Sequence, residues 1–461
     1  MVRKTLNQKH AKSLGVSLLL GLLVLGWAPV SSAQEFGSFK TYGDFELGFL
    51  GVSNKDFGTS NRDEYTPGQR LRIYMDYIAS KELRGSFGLE VNQQWGAVDQ
   101  APVGADNQGL VEINRAMLAF TWPATSTRVQ AGIQPVQLPA GAMGANPILT
   151  GDMAALAFSN PMGSSRALTL GWSRGYGESS EVAAAGLDSL YLTLPLRGDG
   201  YRITPFGMTS ILGHHMNATL LGEAGRKGFN TPANGAPTDL QESALAWWGG
   251  LSFDINRLDP FRIYGSAMYG SLDTDQKNKD RSGYYTDLAL EYNMSVMRPE
   301  VFGFYASGED DDPEDGSETM PMVYNDEGTS KSPSMLIGDN TFLGSTGGGV
   351  ALLQSAPLGL WSVGLSLKDI SLMEKLSGTM TMAYYRGTND PDILDRSQEL
   401  ESMDNALTQE DSAYEITLQN SYELYESLSA ILETGYARRL LEGRDSPLPA
   451  YRYGAGLNYS F

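Results

Sequence analysis

The end of the chain, Ala450 to Phe461, alternates without a break. Tyr451, Tyr453, Ala455, Leu457, Tyr459 and Phe461 share one parity, and Arg452, Gly454, Gly456, Asn458 and Ser460 share the other. Successive side chains of a strand point to opposite faces, so this segment is a strand with one apolar and one polar face. Strands of soluble sheets usually run about five or six residues. Alternation over about ten residues is the length of a strand that crosses a bilayer with one face on lipid and one on water.

The pattern recurs along the chain. Leu71, Ile73, Met75 and Tyr77 oppose Arg70, Arg72, Tyr74 and Asp76; Phe261, Ile263, Ala267 and Tyr269 oppose Arg262, Tyr264 and Ser266. Leu288, Leu290 and Tyr292 oppose Asp287, Glu291 and Asn293; Trp361, Val363, Leu365 and Leu367 oppose Ser362, Ser366 and Lys368. Tyr414 and Tyr422 stand on one outward parity. At ~3.3 Å per residue and a tilt near ~40° they are roughly 20 Å apart along the normal, close to the band between the aromatic girdles of a membrane barrel. Short connections (near 80–82, 123–126, 197–200, 256–260, 296–299, 372–376 and 424–427) alternate with long ones (near 51–67, 96–110, 135–150, 212–243, 309–345, 388–411 and 439–449). That is the plan of short periplasmic turns and long extracellular loops. The fold class is therefore all-β: a transmembrane antiparallel β-barrel of 16–18 strands. The count is 18 if a weak hairpin at 152–159 and 166–174 belongs to the wall and 16 if it belongs to a loop. Either size leaves an aqueous lumen.

The N-terminus supplies the compartment. Arg3, Lys4, Lys9 and Lys12 precede the apolar run Leu14 to Trp27, and Ser31-Ser32-Ala33 offers a small-residue cleavage point. This is the order of a secretory signal peptide. Residues 1–33 are read as the cleaved signal and 34–461 as one barrel domain. Cleavage removes four Lys/Arg and no Asp/Glu, so the formal charge moves from −20 to −24. So acidic a chain, with a pI of 4.6, is a poor partner for nucleic acid. The absence of Cys excludes disulfides, cysteine metal sites and thiol catalysis.

Inward parity nominates the groups that line the lumen. Arg70, Arg72, Arg84, Arg115 and Arg128 come from four consecutive strands. They form a basic wall that sorts solutes by charge, or else ordinary polar lumen positions, each paired locally. The inward carboxylates Asp44, Glu46, Glu90, Asp287, Glu291, Glu415 and Glu433 argue against a simple anion channel. The nearly uncharged loop 135–150 either folds into the lumen or packs as an outer cap or subunit contact. Glu309 to Asp315 reads EDDDPED, with Glu318 following. This acidic loop is a solvated outer surface or a divalent-cation site, without the spacing of a complete Ca²⁺ loop. Catalysis finds no constellation. His214 and His215 are the mature chain's two histidines, adjacent in a loop, and GSTGGGVALL (344–353) lacks the Lys-Ser/Thr of a phosphate loop. No enzyme activity and no cofactor are expected.

The residues also carry a resemblance. AWWGGLSFDI (246–255), DPFRIYGSAMYGSLD (259–273), GFYASGEDDDPEDGSETMP (303–321), GLSLKDISLMEKLSGTMTMAYYRGTNDP (364–391), YRITPFGMTS (201–210) and the terminal YRYGAGLNYSF resemble the outer-membrane homotrimeric porins of sulfate-reducing bacteria. The terminal Phe461 is similar to the assembly signal of outer-membrane barrels. The resemblance implies a homotrimer of water-filled barrels in the outer membrane of a Gram-negative bacterium. Such a trimer sits among lipid and lipopolysaccharide and passes ions and small hydrophilic solutes passively. A substrate-specific facilitator for sugars or organic anions, with Tyr74, Tyr264 and Tyr285 as lumen contacts, is the alternative, and a structural envelope barrel is a third reading. The charge of −24 points to a weak cation preference, whereas a basic wall points the other way. N-terminal sequencing of the mature protein should begin at Gln34; a chain retaining residues 1–33 would refute the signal-peptide assignment.

Overall fold

The structure is a computed structural model. It describes residues 37–55, 57, 63–95, 111–177, 186–213, 243–275, 277, 280–312, 315–325, 329–337, 359–392, 407–442 and 447–461. The leader 1–33, the His214–His215 pair and the 344–353 tract lie outside the described residues. Phe39–Phe461 is one compact unit. The strands are β1 Ser38–Ser53, β2 Glu64–Ile78, β3 Leu83–Gln94, β4 Val111–Thr121, β5 Arg128–Gln137, β6 Leu149–Pro161, β7 Ala167–Gly177, β8 Gly186–Thr193, β9 Leu196–Gly198 and β10 Tyr201–Leu212. They continue with β11 Ala244–Leu258, β12 Phe261–Asp273, β13 Arg281–Tyr292, β14 Arg298–Ala306, β15 Tyr324–Asn325, β16 Leu360–Met373, β17 Leu376–Gly387, β18 Ser412–Tyr425, β19 Leu428–Leu440 and β20 Ala450–Ser460.

Wall neighbours pair antiparallel, and β20 returns to β1 in register from Asp44↔Ser460 to Ser53↔Tyr451, which closes the sheet. β8 and β9 pair in succession with β10 and make one wall strand broken at Leu194 and Pro195. β15 leaves the wall, so β14 pairs directly with β16. The barrel has eighteen strands. The weak hairpin belongs to the wall as β6 and β7. Two-residue turns at Asp259-Pro260, Glu374-Lys375 and Glu426-Ser427 mark the short-turn end, and the long connections gather at the other end.

On β13 the burial is as regular as the sequence. Arg281, Gly283, Tyr285, Asp287, Ala289 and Glu291 are buried, and every residue between them is exposed. Leu288 and Leu290 thus face outward while Asp287 and Glu291 face in, the reverse of a soluble protein and the arrangement a lipid surround requires. Outward aromatics form two bands. Near the long loops Tyr284 stacks on Tyr305, Trp361 meets Tyr384, and Tyr436 meets Tyr414 and Tyr451. Near the short turns Phe261 meets Tyr292 and Tyr459 stacks on Phe461.

The interior departs from the expected water-filled lumen. Toward the long loops the inward parity is apolar: Phe206, Met208, Trp248, Met268, Phe302 and Phe304 are all buried. They pack in one core with loop residues Leu138, Met143, Ile148, Met335, Leu336 and Ile337. Charged inward groups occur at both heights: Asp287, Glu415 and Arg452 lie under the loops, and Glu291, Glu300 and Lys368 lie nearer the short turns. Toward the long loops the interior is thus filled by loops that fold against an apolar surface. Replacing the outward Leu288 by Arg should destabilise the inserted barrel by about 2–4 kcal/mol at mid-bilayer depth, read as a shifted urea midpoint for folding into phospholipid vesicles.

Candidate functional site in the barrel interior

Among the described residues, wall carboxylates hold two loops inside the barrel. The first, residues 138–148 between β5 and β6, crosses to β13, where the Ala142 amide donates to Asp287 Oδ1 at 2.9 Å. Gly141 lies so close to this wall that a Cβ there would fall 2.0 Å from Asp287 Oδ1, so the crossing needs glycine. The second lies between β14 and β16. The Ser334 hydroxyl and the Met335 and Leu336 amides donate to Glu415 at 2.7, 2.6 and 3.1 Å, as does Tyr385 at 2.6 Å. Arg452 donates to the Ser334 carbonyl at 2.7 Å. The loops also brace each other: β15 pairs in parallel with Leu149 and Thr150 of β6, and Lys331 donates to the Ala142 carbonyl at 2.8 Å.

This packing is uneven around the wall. Among the described residues the apolar core draws on β1, β5, β6, β8, β10–β14 and β16–β20 but on no residue of β2, β3 or β4. Inward Arg70, Arg72, Tyr74, Arg84, Glu90 and Arg115 of those strands are partly exposed, whereas Thr66, Asp76, Ser86, Met117 and Ala119 on the same face are buried. Arg70 pairs with Glu46 at 2.7 Å, Arg72 with Asp44 at 3.0 Å and Arg84 with Asp76 at 3.5 Å. Most of the arginine wall is therefore neutralised locally by carboxylates of β1 and β2. Arg115 instead lies over the Tyr74 ring, 4.6 Å from its centroid. Asn114 donates to Glu90 at 3.4 Å. Arg128 is exposed at the short-turn end of β5.

The remaining nominated residues sit across the barrel. Asp287 is buried under the first loop and anchors it, and Tyr285, which donates to Asp287 at 3.1 Å, is buried with it. Glu291 lies in a network toward the short turns, paired with Lys368 and, at 3.4 Å, with Arg298. Glu300, beside it, meets Lys331 at 2.6 Å and Lys368 at 2.8 Å and accepts from Tyr264. Arg262 forks onto Asp254 with two bonds of 2.9 Å. Sequence reasoning missed Glu300 and Lys331. Lys331 lies in a long loop with no periodicity to place it. The apolar half was legible in principle: β14 reads PEVFGFYA, with Phe302 and Phe304 inward and Val301 and Tyr305 outward, and apolar residues on both parities mark a strand covered on both faces.

At the long-loop end Asp310, Asp315 and Glu318 bring carboxylate oxygens within 4.8 Å of one another. Asp310 and Glu318 also bond within the loop, where the Asp310 amide donates to Glu318 at 3.0 Å. Burial pushes the neighbouring Glu309 carboxyl up to about 7, against the pull of Ser317 and Arg281.

No protein-family model and no curated protein matches the chain. Solved structures do share its fold. Pseudomonas aeruginosa OccK8 (OprE) superposes with a TM-score of 0.51 at 10% identity, over 92% of this chain and 98% of that one. Pseudomonas aeruginosa OpdK, solved with vanillate, gives 0.50 at 11% identity over 92% and 99%. OccK11 (OpdR) of the same organism gives 0.50 at 9% over 94% and 99%. These likenesses concern the fold.

Glu415→Ala would orphan buried donors at a cost of about 1–3 kcal/mol. Hydrogen exchange at the Met335 and Leu336 amides should then accelerate roughly tenfold or more, with the wall-strand amides unmoved; unchanged protection would show that Glu415 does not hold the loop.

Proposed function

We propose that the protein is an outer-membrane channel through which ions and small hydrophilic solutes diffuse passively, along the inner face of β2–β4. The observation that carries this is the gap in the core: among the described residues the apolar packing draws on no residue of β2, β3 or β4, and charged groups on their inner face stay partly exposed. Outward leucines and two aromatic bands support insertion in a membrane, and the reading of residues 1–33 as a signal peptide fits export to the outer membrane. Transport needs no chemical step and no cofactor here: the strip offers guanidinium, carboxylate and phenol groups that replace part of a solute's hydration, and its width and charge sort what passes. On this reading Arg70, Arg72, Arg84, Arg115 and Glu90 line the path and Arg128 stands at its mouth, while Asp287 and Glu291, expected to line it, are buried in the loop packing and the ion-pair network. A homotrimer surrounded by lipid and lipopolysaccharide is the assembly that the resemblance to sulfate-reducer porins implies.

In planar bilayers the protein should give a conductance that rises with bulk salt. The chain has no native cysteine, so single labels are unambiguous. A bulky thiol reagent on Glu90→Cys should reduce the current substantially, while the same reagent on Ala383→Cys, under the loops, should not. A salt-independent absence of current refutes the channel, and current that ignores the Glu90→Cys label refutes the path.

A further inference from the structure

On the β2–β4 strip Arg70, Arg72 and Arg84 are each tied to a carboxylate, and Arg115 is not. Among the described residues no carboxylate lies within the 4.0 Å of an ion pair from Arg115. Its contacts are the Tyr74 ring at 4.6 Å and the Tyr42 hydroxyl at 3.4 Å, and its buried Nε has no hydrogen-bond partner. Tyr42 and Tyr74 are themselves stacked, 5.3 Å between centroids at 27°.

The wall is shaped around this arginine. Pairing between β3 and β4 runs to Gly88↔Arg115 and resumes at Leu89↔Ile113, so Asn114 is an extra residue on β4. Such a bulge re-aims the side chain beside it. Asn114 donates to the Tyr74 hydroxyl at 3.2 Å, fixing the ring on which Arg115 rests. Opposite lies Gly88. A Cβ there would come 2.4 Å from Asn114 Oδ1, 2.8 Å from the Tyr74 ring and 2.9 Å from Arg115 Cβ. The glycine, the bulge and the ring stack together hold a guanidinium against the wall with its orientation set beforehand, which lowers the ordering cost of binding. On the same strands Glu90 and Glu112 face each other in register one step along. Arg115 is thus a local positive point on a strip that is otherwise balanced or acidic.

We propose that Arg115 is the specificity-determining group of the conduit. It forms a subsite where a small anion, best a carboxylate, exchanges water for guanidinium N–H donors. Carboxylate is the best fit because the planar guanidinium presents paired N–H groups that match two oxygens, whereas chloride meets only the charge. The proposal rests on the channel reading and adds to it the residue and the ligand chemistry.

The test compares the wild type with Arg115→Gln and Arg115→Lys in planar bilayers, first under a KCl gradient and then under a potassium acetate gradient, with folding checked by circular dichroism. Removing one charge several ångströms from the path in water should raise the potassium-to-chloride permeability ratio roughly threefold in Arg115→Gln. Arg115→Lys keeps the charge, so its KCl reversal potential should match the wild type while its acetate-to-chloride permeability ratio falls by roughly half for lack of the fork. An unmoved KCl reversal potential in Arg115→Gln overturns the proposal and leaves the channel standing. Acetate discrimination in Arg115→Lys equal to the wild type overturns the carboxylate subsite. Absence of current from the wild type overturns the channel reading, and the subsite with it.

Discussion

The pairing of β20 with β1 is the constraint on which the rest depends. A backbone N–H or C=O left unpaired in hydrocarbon costs several kcal/mol, so a sheet in a membrane must have no edge. Ten register pairs from Asp44↔Ser460 to Ser53↔Tyr451 remove both edges. Closure fixes which parity of every strand faces lipid, and so gives the alternation of the chain its meaning. It also creates an interior that must be solvated or filled.

The protein does both, at different heights. In the half toward the long loops the apolar inward side chains are covered by 138–148 and by the segment through Met335–Ile337. A loop brought into a lumen carries backbone donors that need acceptors, and Asp287 and Glu415 provide them. In the half toward the short turns, the charges compensate one another across neighbouring strands, through Arg72–Asp44, Arg262–Asp254 and the Glu291, Glu300, Lys331 and Lys368 network. Among the described residues the filling is asymmetric: the apolar core draws on none of β2, β3 or β4.

How legible this was depended on the range of the interactions. The outward sets on β12, β13, β16 and β20 followed from parity, because the side-chain period of a strand is local. The eighteen-strand count turned on a single weak hairpin, β6–β7. There Ala154, Ala155 and Ala157 blur the contrast between faces. The partners of the arginines were not legible, because pairing Arg72 with Asp44 requires knowing that β1 lies beside β2 at that register. Glu415 was identified as inward, but its duty to Met335 and Leu336 depends on a loop eighty residues earlier in the chain. Phe302 and Phe304 showed apolar character on the inward parity, a signal that two-sided burial explains.

The sequence by itself determined the closed antiparallel sheet, the face each strand shows to lipid and the set of inward charges, because these follow from a period of two and from the cost of an unpaired backbone in hydrocarbon. Only the tertiary structure decided which inward charges cancel, which hold loops and which remain available. Those roles are set by contacts between segments far apart in the chain, at distances of about 3 Å that no local pattern encodes. Arg70, Arg72, Arg84 and Arg115 look alike as inward arginines; Glu46, Asp44 and Asp76 neutralise three of them, and a bulge, a glycine and two tyrosines set the fourth apart.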